Sequence, residues 1–236
     1  MALPVINDKP KYELKVPSTK KSVRFRPFLV KEQKVLLLAY ESKDKRSIVR
    51  AMLDTIQSCC DDTIDVYKLS TFDVDYIFTQ IRAKSVGESV ELTVACSSCS
   101  TKNDVSINLE NIAIDVPKQD MVLKLTDSIS IKFKYPDYGS FLGSDTFFTT
   151  ESRVEQVTDI LISCLDSVMT EDENISIKDE PREEIIRFID SLSSAQFDKV
   201  NKFIDSIPTL KHDINFKCIS CGTDNLRTLE GLEDFF

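Results

Sequence analysis

Four cysteines stand at spacings that let them act together: Cys96-Ser97-Ser98-Cys99 and Cys218-Ile219-Ser220-Cys221 are two C-x-x-C pairs. The two-residue gap lets both sulfurs of a pair point at one ion, and two pairs supply the four ligands of a tetrahedral site, with zinc–sulfur bonds of about 2.3 Å. The same residues could instead be four reduced thiols, two disulfides or a redox dithiol. A thioredoxin-like dithiol would place one C-x-x-C ahead of a helix, whereas each pair here follows a strand-like alternation. The expectation is one structural Zn²⁺ held by Cys96, Cys99, Cys218 and Cys221. Four thiolates close the coordination sphere, so such an ion would not act as a Lewis acid. Cys59, Cys60 and Cys164 fall in helical patterns and read as small core residues. His212, six residues before Cys218, reads as a neighbour of the site, an alternative ligand or a solvent-facing residue at a strand start.

The rest of the inventory is poor in chemistry. Among 236 residues there are one His and five Gly, and no G-x-x-x-x-G-K-[ST], G-x-G-x-x-G or G-x-S-x-G stretch occurs. Acid–base catalysis near neutral pH would therefore rest on His212 alone. A non-enzymatic role is expected. The longest apolar run, Val35 to Tyr40, is far short of a membrane span, and the first twenty residues lack an apolar signal core, so a soluble, unsecreted protein is expected. Net charge is −9 but unevenly spread, with thirteen Lys/Arg against five Asp/Glu in residues 1–50 and an acidic remainder. That polarity suits head-to-tail protein contacts better than nucleic acid.

Several elements must position the cysteines. Tyr12, Leu14 and Val16, then Val23 and Phe25, alternate with polar residues across Pro17-Ser18-Thr19 and predict an N-terminal hairpin. A helix is expected from Val30, a second through Ile48, Met52 and Ile56, and a third opened by a capping box of Ser70 and Asp73 and closed by Gly87. Val90, Leu92 and Val94 lead into the first knuckle and Val105, Ile107 and Leu109 leave it. Ile214 and Phe216 lead into the second, and Leu226 and Leu229 follow it. A further hairpin is expected at 121–135, with the sheet region ending at Tyr135–Gly139. Val154, Val157, Leu161, Leu165 and Val168 keep helical spacing, Thr170 to Glu180 reads as an exposed acidic loop, and two more helices follow Pro181 and Ser193. The only self-similar stretches are the knuckles, Ala95–Ser100 and Lys217–Gly222. The fold class expected is α+β: small antiparallel sheet elements with a Cys₄ zinc ribbon, N-terminal helices, and a helical insertion between the knuckles. The domain expectation is a zinc-ribbon domain of residues 1–139 and 211–236 interrupted by a helical insertion, 140–210.

Three stretches together carry a resemblance: Arg26-Pro27-Phe28 leading into the apolar helix Val35–Ala39, then Thr71-Phe72-Asp73-Val74-Asp75-Tyr76-Ile77-Phe78, then Ile81-Arg82-Ala83-Lys84-Ser85-Val86-Gly87-Glu88. The chain resembles the baseplate hub and hub-assembly proteins of contractile-tailed, T-even-type bacteriophages, and the Arg-Ala-Lys-Ser-Val-Gly-Glu stretch is its most specific part. The resemblance implies a hub subunit or a chaperone-like assembly factor, acting through contacts with other hub or tape-measure proteins. It implies work in the host bacterial cytoplasm during tail assembly and, for a hub subunit, a place in the virion. Candidate contact residues are the basic N-terminal segment with Arg24 and Arg26, Arg82 and Lys84 at the third helix end, and Phe235 and Phe236 behind the acidic Glu230–Asp234 stretch. The alternative is a nucleic-acid-binding zinc-ribbon module, for which the knuckles lack flanking Lys/Arg clusters and aromatic platforms.

Overall fold

A computed structural model describes residues 9–61 and 64–231 and confirms an α+β protein, with seven helices and several small antiparallel sheets among the described residues. The chain divides into two compact units. One comprises residues 9–61, 64–66, 72–116 and 208–231, and the other residues 67–71 and 117–207. The sequence expectation drew the corresponding boundaries at 139/140 and 210/211, so the hairpin near 121–135 groups with the inserted unit.

In the first unit, β1 (Tyr12–Lys15) and β2 (Ser22–Phe25) form the expected hairpin, extended by the two-residue β3 (Cys60–Asp61). The loop between β1 and β2 is pinned by the fully buried Asp73, whose carboxylate accepts bonds from Ser18 N–H at 2.8 Å and Ser18 Oγ at 2.5 Å. Helix α1 (Val30–Ser42) begins where Glu32 accepts the Leu29 N–H, and ends at Lys43 in a left-handed conformation. Asp44 then caps α2 (Lys45–Cys59), which buries Met52, Leu53 and Ile56 on the expected face. Helix α3 (Thr71–Val86) ends at Gly87, where φ of +148° needs glycine.

Two long hairpins follow from period-2 alternation. One is β4 (Ser89–Ala95) with β5 (Lys102–Asn108); the other, after the inserted unit, is β10 (Lys211–Lys217) with β11 (Asp224–Glu230). Val90 and Ile107 of the first pack with Ile214 and Leu229 of the second in one core that also holds Ala83 of α3 and Leu210.

The second unit carries a four-stranded antiparallel sheet in sequence order: β6 (Val122–Lys124), β7 (Ser130–Phe133), β8 (Leu165–Met169) and β9 (Asn174–Ser176). Helices α4 (Tyr138–Gly143), α5 (Arg153–Cys164), α6 (Arg182–Asp190) and α7 (Ser194–Asp205) complete it. The sheet therefore does not end at Gly139. Leu165 and Val168, expected in a helix with Leu161, lie on β8, because pairing with β7 converts that stretch to strand immediately after Cys164. Val154 and Val157, expected on the same apolar face, are exposed. The acidic stretch 170–180 is likewise more than a loop, since it contains β9 and a single helical turn that buries Ile177. Ile131, Phe133, Leu161, Leu165, Val200 and Phe203 lie in this unit's core, with the Phe133 and Phe203 rings stacked at 4.1 Å.

Candidate metal centre

The tips of β4–β5 and β10–β11 bring the two knuckles together. Cys96 Sγ lies 3.7 Å from Cys221 Sγ, Cys99 Sγ lies 3.6 Å from Cys218 Sγ, and all four sulfurs fall within 4.8 Å of one another. No pair is a disulfide. Four sulfurs around a zinc ion at about 2.3 Å stand about 3.8 Å apart along the edges of the tetrahedron, so the donor set and its span fit such an ion. The four cysteines can hold a metal ion, and among the described residues theirs is the one group of this kind.

Each knuckle is held by the same backbone bonds. Cys96 N–H donates to Thr101 O and Ser100 N–H to Cys96 O; Cys218 N–H donates to Thr223 O and Gly222 N–H to Cys218 O. Ser100 and Gly222 occupy the same left-handed position, with φ of 58° and 72°. The backbone N–H groups of Cys99 and Ser98 point at Cys96 and bring its thiol down to about 6. Those of Cys221 and Ser220 lower Cys218 in the same way. At Cys99 the Thr101 hydroxyl pulls the thiol down, while the Cys221 sulfur, burial and the Cys218 sulfur raise it by more. Cys96 and Cys218 are buried and Cys99 and Cys221 exposed, an inner and an outer ligand from each knuckle.

The likeness of the two hairpins extends beyond the knuckles. Every strand boundary of one maps onto the other at a constant offset of 122 positions: Ser89–Ala95 onto Lys211–Lys217, and Lys102–Asn108 onto Asp224–Glu230. Two buried residues missed at the sequence level sit at equivalent places. Asn103 of β5 accepts the N–H of Ile219 in the opposite knuckle at 2.9 Å and places its amide nitrogen 3.8 Å from Cys218 Sγ. Asn225 of β11 accepts the N–H of Ser97 at 2.9 Å and places its amide nitrogen 3.5 Å from Cys96 Sγ. The signal that could have found them is the shared pattern C-x-x-C-x-T-x-N, residues 96–103 and 218–225.

The remaining candidates lie apart from the cysteines. His212 is the second residue of β10, about 20 Å along the strand from its knuckle at roughly 3.3 Å per residue. Arg24 is exposed on β2, in register with Glu13 and Asp61. Arg26 is turned inward, its guanidinium bound to Glu32 at 2.9 Å and to the carbonyls of Ser58 and Pro27. Arg82 is half-buried. Lys84 bridges Glu88, at 2.9 Å, and Glu110, and its ammonium lies over the Tyr12 ring at 5.2 Å. The Ser85 hydroxyl accepts the Phe28 N–H at 2.9 Å. Thus the stretch that carries the resemblance packs a helix end, a turn and the Arg-Pro-Phe segment into one joint. Phe235 and Phe236 lie outside the described residues. Among the described residues no helix is long and apolar enough to cross a membrane.

Fold and site together define an α+β protein whose concentrated chemistry is a four-cysteine cluster shared by two hairpins. Residues 9–236 match the family described as T4 bacteriophage base plate protein, and the chain belongs to that family. It is a phage baseplate structural protein, and such membership implies contacts with other phage structural proteins and a place in the virion tail. No curated protein and no solved structure matches the chain.

Proposed function

We propose that the protein is a non-enzymatic baseplate hub subunit or hub-assembly factor that works through protein contacts, with its two hairpins clamped by structural zinc. The observation that carries the contact role is the outer face of α1. Val30, Val35, Leu37 and Leu38 expose between 50% and 66% of their surface there, although the helix has only thirteen residues. Lys34 and Glu41 lie on the same face at helical spacing from Val30 and Leu37, so it suits a partner surface that is mainly apolar and carries groups of both charges. Clustered exposed apolar residues of this size are costly to leave in water, which favours a covered face in the assembled tail.

For the clamp, an all-thiolate tetrahedral donor set favours zinc or an iron–sulfur centre, and the closed four-ligand arrangement is that of structural zinc. Bound there, zinc would supply a cross-link and no open coordination position. Cys96 and Cys218 provide ligands whose thiols the knuckle N–H groups lower, and Cys99 and Cys221 close the site from the solvent side.

The test is native mass spectrometry of the full chain co-expressed with the neighbouring tail proteins, alongside a Leu37→Asp, Leu38→Asp variant. One zinc per chain and a complex that the variant fails to enter are expected. Retention of the chain in the mature complex identifies the hub subunit, and its release identifies the assembly factor. A zinc-free chain without a partner refutes the reading, and salt-dependent binding to DNA or RNA would replace it with the nucleic-acid module.

A further inference from the structure

The two asparagines occupy a place that their backbone neighbours define without ambiguity. A backbone N–H can only donate, so the side-chain atom facing Ile219 N or Ser97 N must be the carbonyl oxygen, which turns each amide nitrogen toward a sulfur. That nitrogen has two hydrogens. One from Asn103 goes to Thr101 O at 2.7 Å, within its own hairpin, and the other faces Cys218 in the opposite one. Asn225 repeats the arrangement with Thr223 O at 2.8 Å and Cys96. Both side chains are more than nine-tenths buried, and each amide's carbonyl oxygen and both its hydrogens have a partner. The exchange is reciprocal: each hairpin lends an amide to the knuckle of the other.

We propose that Asn103 and Asn225 are positioning residues of the metal centre, which set the register of the two knuckles and donate N–H···S bonds to the inner thiolate of the opposite pair. Their bonds couple two things that a four-thiolate site requires. The carbonyl oxygen holds the residue after the first cysteine of the partner knuckle, and so fixes where that knuckle's loop sits. The amide hydrogens offset the negative charge that accumulates when thiolates converge. The knuckle alone meets only part of the second task, since its own N–H groups reach sulfurs of the same pair and none holds the opposite loop. The two halves are not equal. Asn225 also accepts from Ser97 Oγ at 2.8 Å, whereas the corresponding Ile219 has no hydroxyl, so the Asn225 bridge carries one bond more.

This inference rests on the metal reading, and cobalt(II) titration of the full-length chain separates the two. Asn103→Leu and Asn225→Leu remove both functions, and each is expected to weaken cobalt binding by about 10–100-fold, as loss of an outer-sphere partner does, with the larger loss at Asn225. Asn103→Asp and Asn225→Asp keep an acceptor for the backbone N–H but lose the donor to sulfur. They also set a carboxylate oxygen against the Thr101 or Thr223 carbonyl, so they are expected to weaken cobalt binding as well, and to move the sulfur-to-cobalt absorption to longer wavelength, because a thiolate that has lost its donor gives up charge more easily. A purely structural role would leave that band in place in the cobalt-loaded Leu variants, which remove the donor without adding charge. Native cobalt affinity in both Leu variants, or an unmoved band in both when loaded with cobalt, overturns the proposal while leaving the metal centre intact. A native chain that takes up no cobalt overturns the metal reading and this proposal with it.

Discussion

Replacing Arg26 by Leu should damage the fold rather than a contact surface. The Arg26 and Glu32 side chains expose only 14% and 7% of their area, and the guanidinium also serves the Ser58 and Pro27 carbonyls. Removing one member of a buried pair costs about 3–5 kcal/mol because the other charge stays buried. Lys31 Nζ, 3.3 Å from the same Glu32 oxygen, compensates in part, which puts Arg26→Leu near about 3 kcal/mol. Glu32→Gln keeps an acceptor for Leu29 N–H but loses the charge, at about 1.5–3 kcal/mol. The double variant no longer buries a lone carboxylate, so its cost should fall short of the sum by about 1–2 kcal/mol. Urea unfolding of the three variants at neutral pH reads these values. The pH profile adds a check of sign. Burial by itself would raise the Glu32 carboxyl, but the bonds from Arg26 and Leu29 hold it below its ordinary value. Its contribution is therefore present above the unfolded carboxylate pKa of about 4.3 and is lost as pH falls below that through the folded value. The native and Glu32→Gln stabilities should converge in that range. An Arg26→Leu chain as stable as the native one, or single effects that simply add, would refute an internal role and return Arg26 to the surface.

Other outcomes follow from the same structure. After treatment with a strong chelator, a thiol reagent at neutral pH should label the four knuckle cysteines, while Cys59 and Cys164 stay unmodified in the folded chain because burial pushes their thiols up to about 11 and about 12; peptide mapping reads this directly. Cys59→Ser should leave metal content unchanged by elemental analysis. Asp159→Ala strips Arg182, Ser144 and Thr146 of a buried acceptor and should cost about 2–3 kcal/mol in urea unfolding, without altering metal content. Leu37→Asp and Leu38→Asp on the outer face of α1 should change stability by no more than about 0.5 kcal/mol by the same method.

What the sequence disclosed depended on how local each signal was. The hairpins at 12–25, 89–108 and 211–230 were legible because one buried face imposes period 2 over several residues, and the first three helices because apolar residues recur at helical spacing up to a break such as Gly87. Leu165 and Val168 misled because their spacing of three fits a helix and would put them on opposite faces of a regular strand, whereas a register shift opposite Lys132 and Phe133 lets β8 bury both. Only the partner strand β7, some thirty residues earlier, decides between them, and local period does not register that pairing. The same non-local sheet explains why the hairpin β6–β7 belongs with the inserted unit. In the candidate centre, cysteine spacing pointed to four possible ligands, but Asn103 and Asn225 read as ordinary polar strand residues until both knuckles are aligned on one another. Arg26 and Lys84 read as surface cations because a sequence displays charge without displaying the carboxylates that face it.

The long separation of the knuckles has a bearing on how the chain comes into being. A span of 118 residues lies between Cys99 and Cys218, and it includes residues 117–207, nearly all of the second unit. At about 5–20 residues per second, a ribosome needs roughly 6–24 s to cross it. For that interval the first pair of thiols is outside or leaving the exit tunnel with no partner pair, while the intervening sheet and helices have time to fold. A chain halted anywhere before Cys218 owns at most half a ligand set. Closure of the four-sulfur cluster is thereby a late event, open only to a chain whose synthesis has passed the second knuckle.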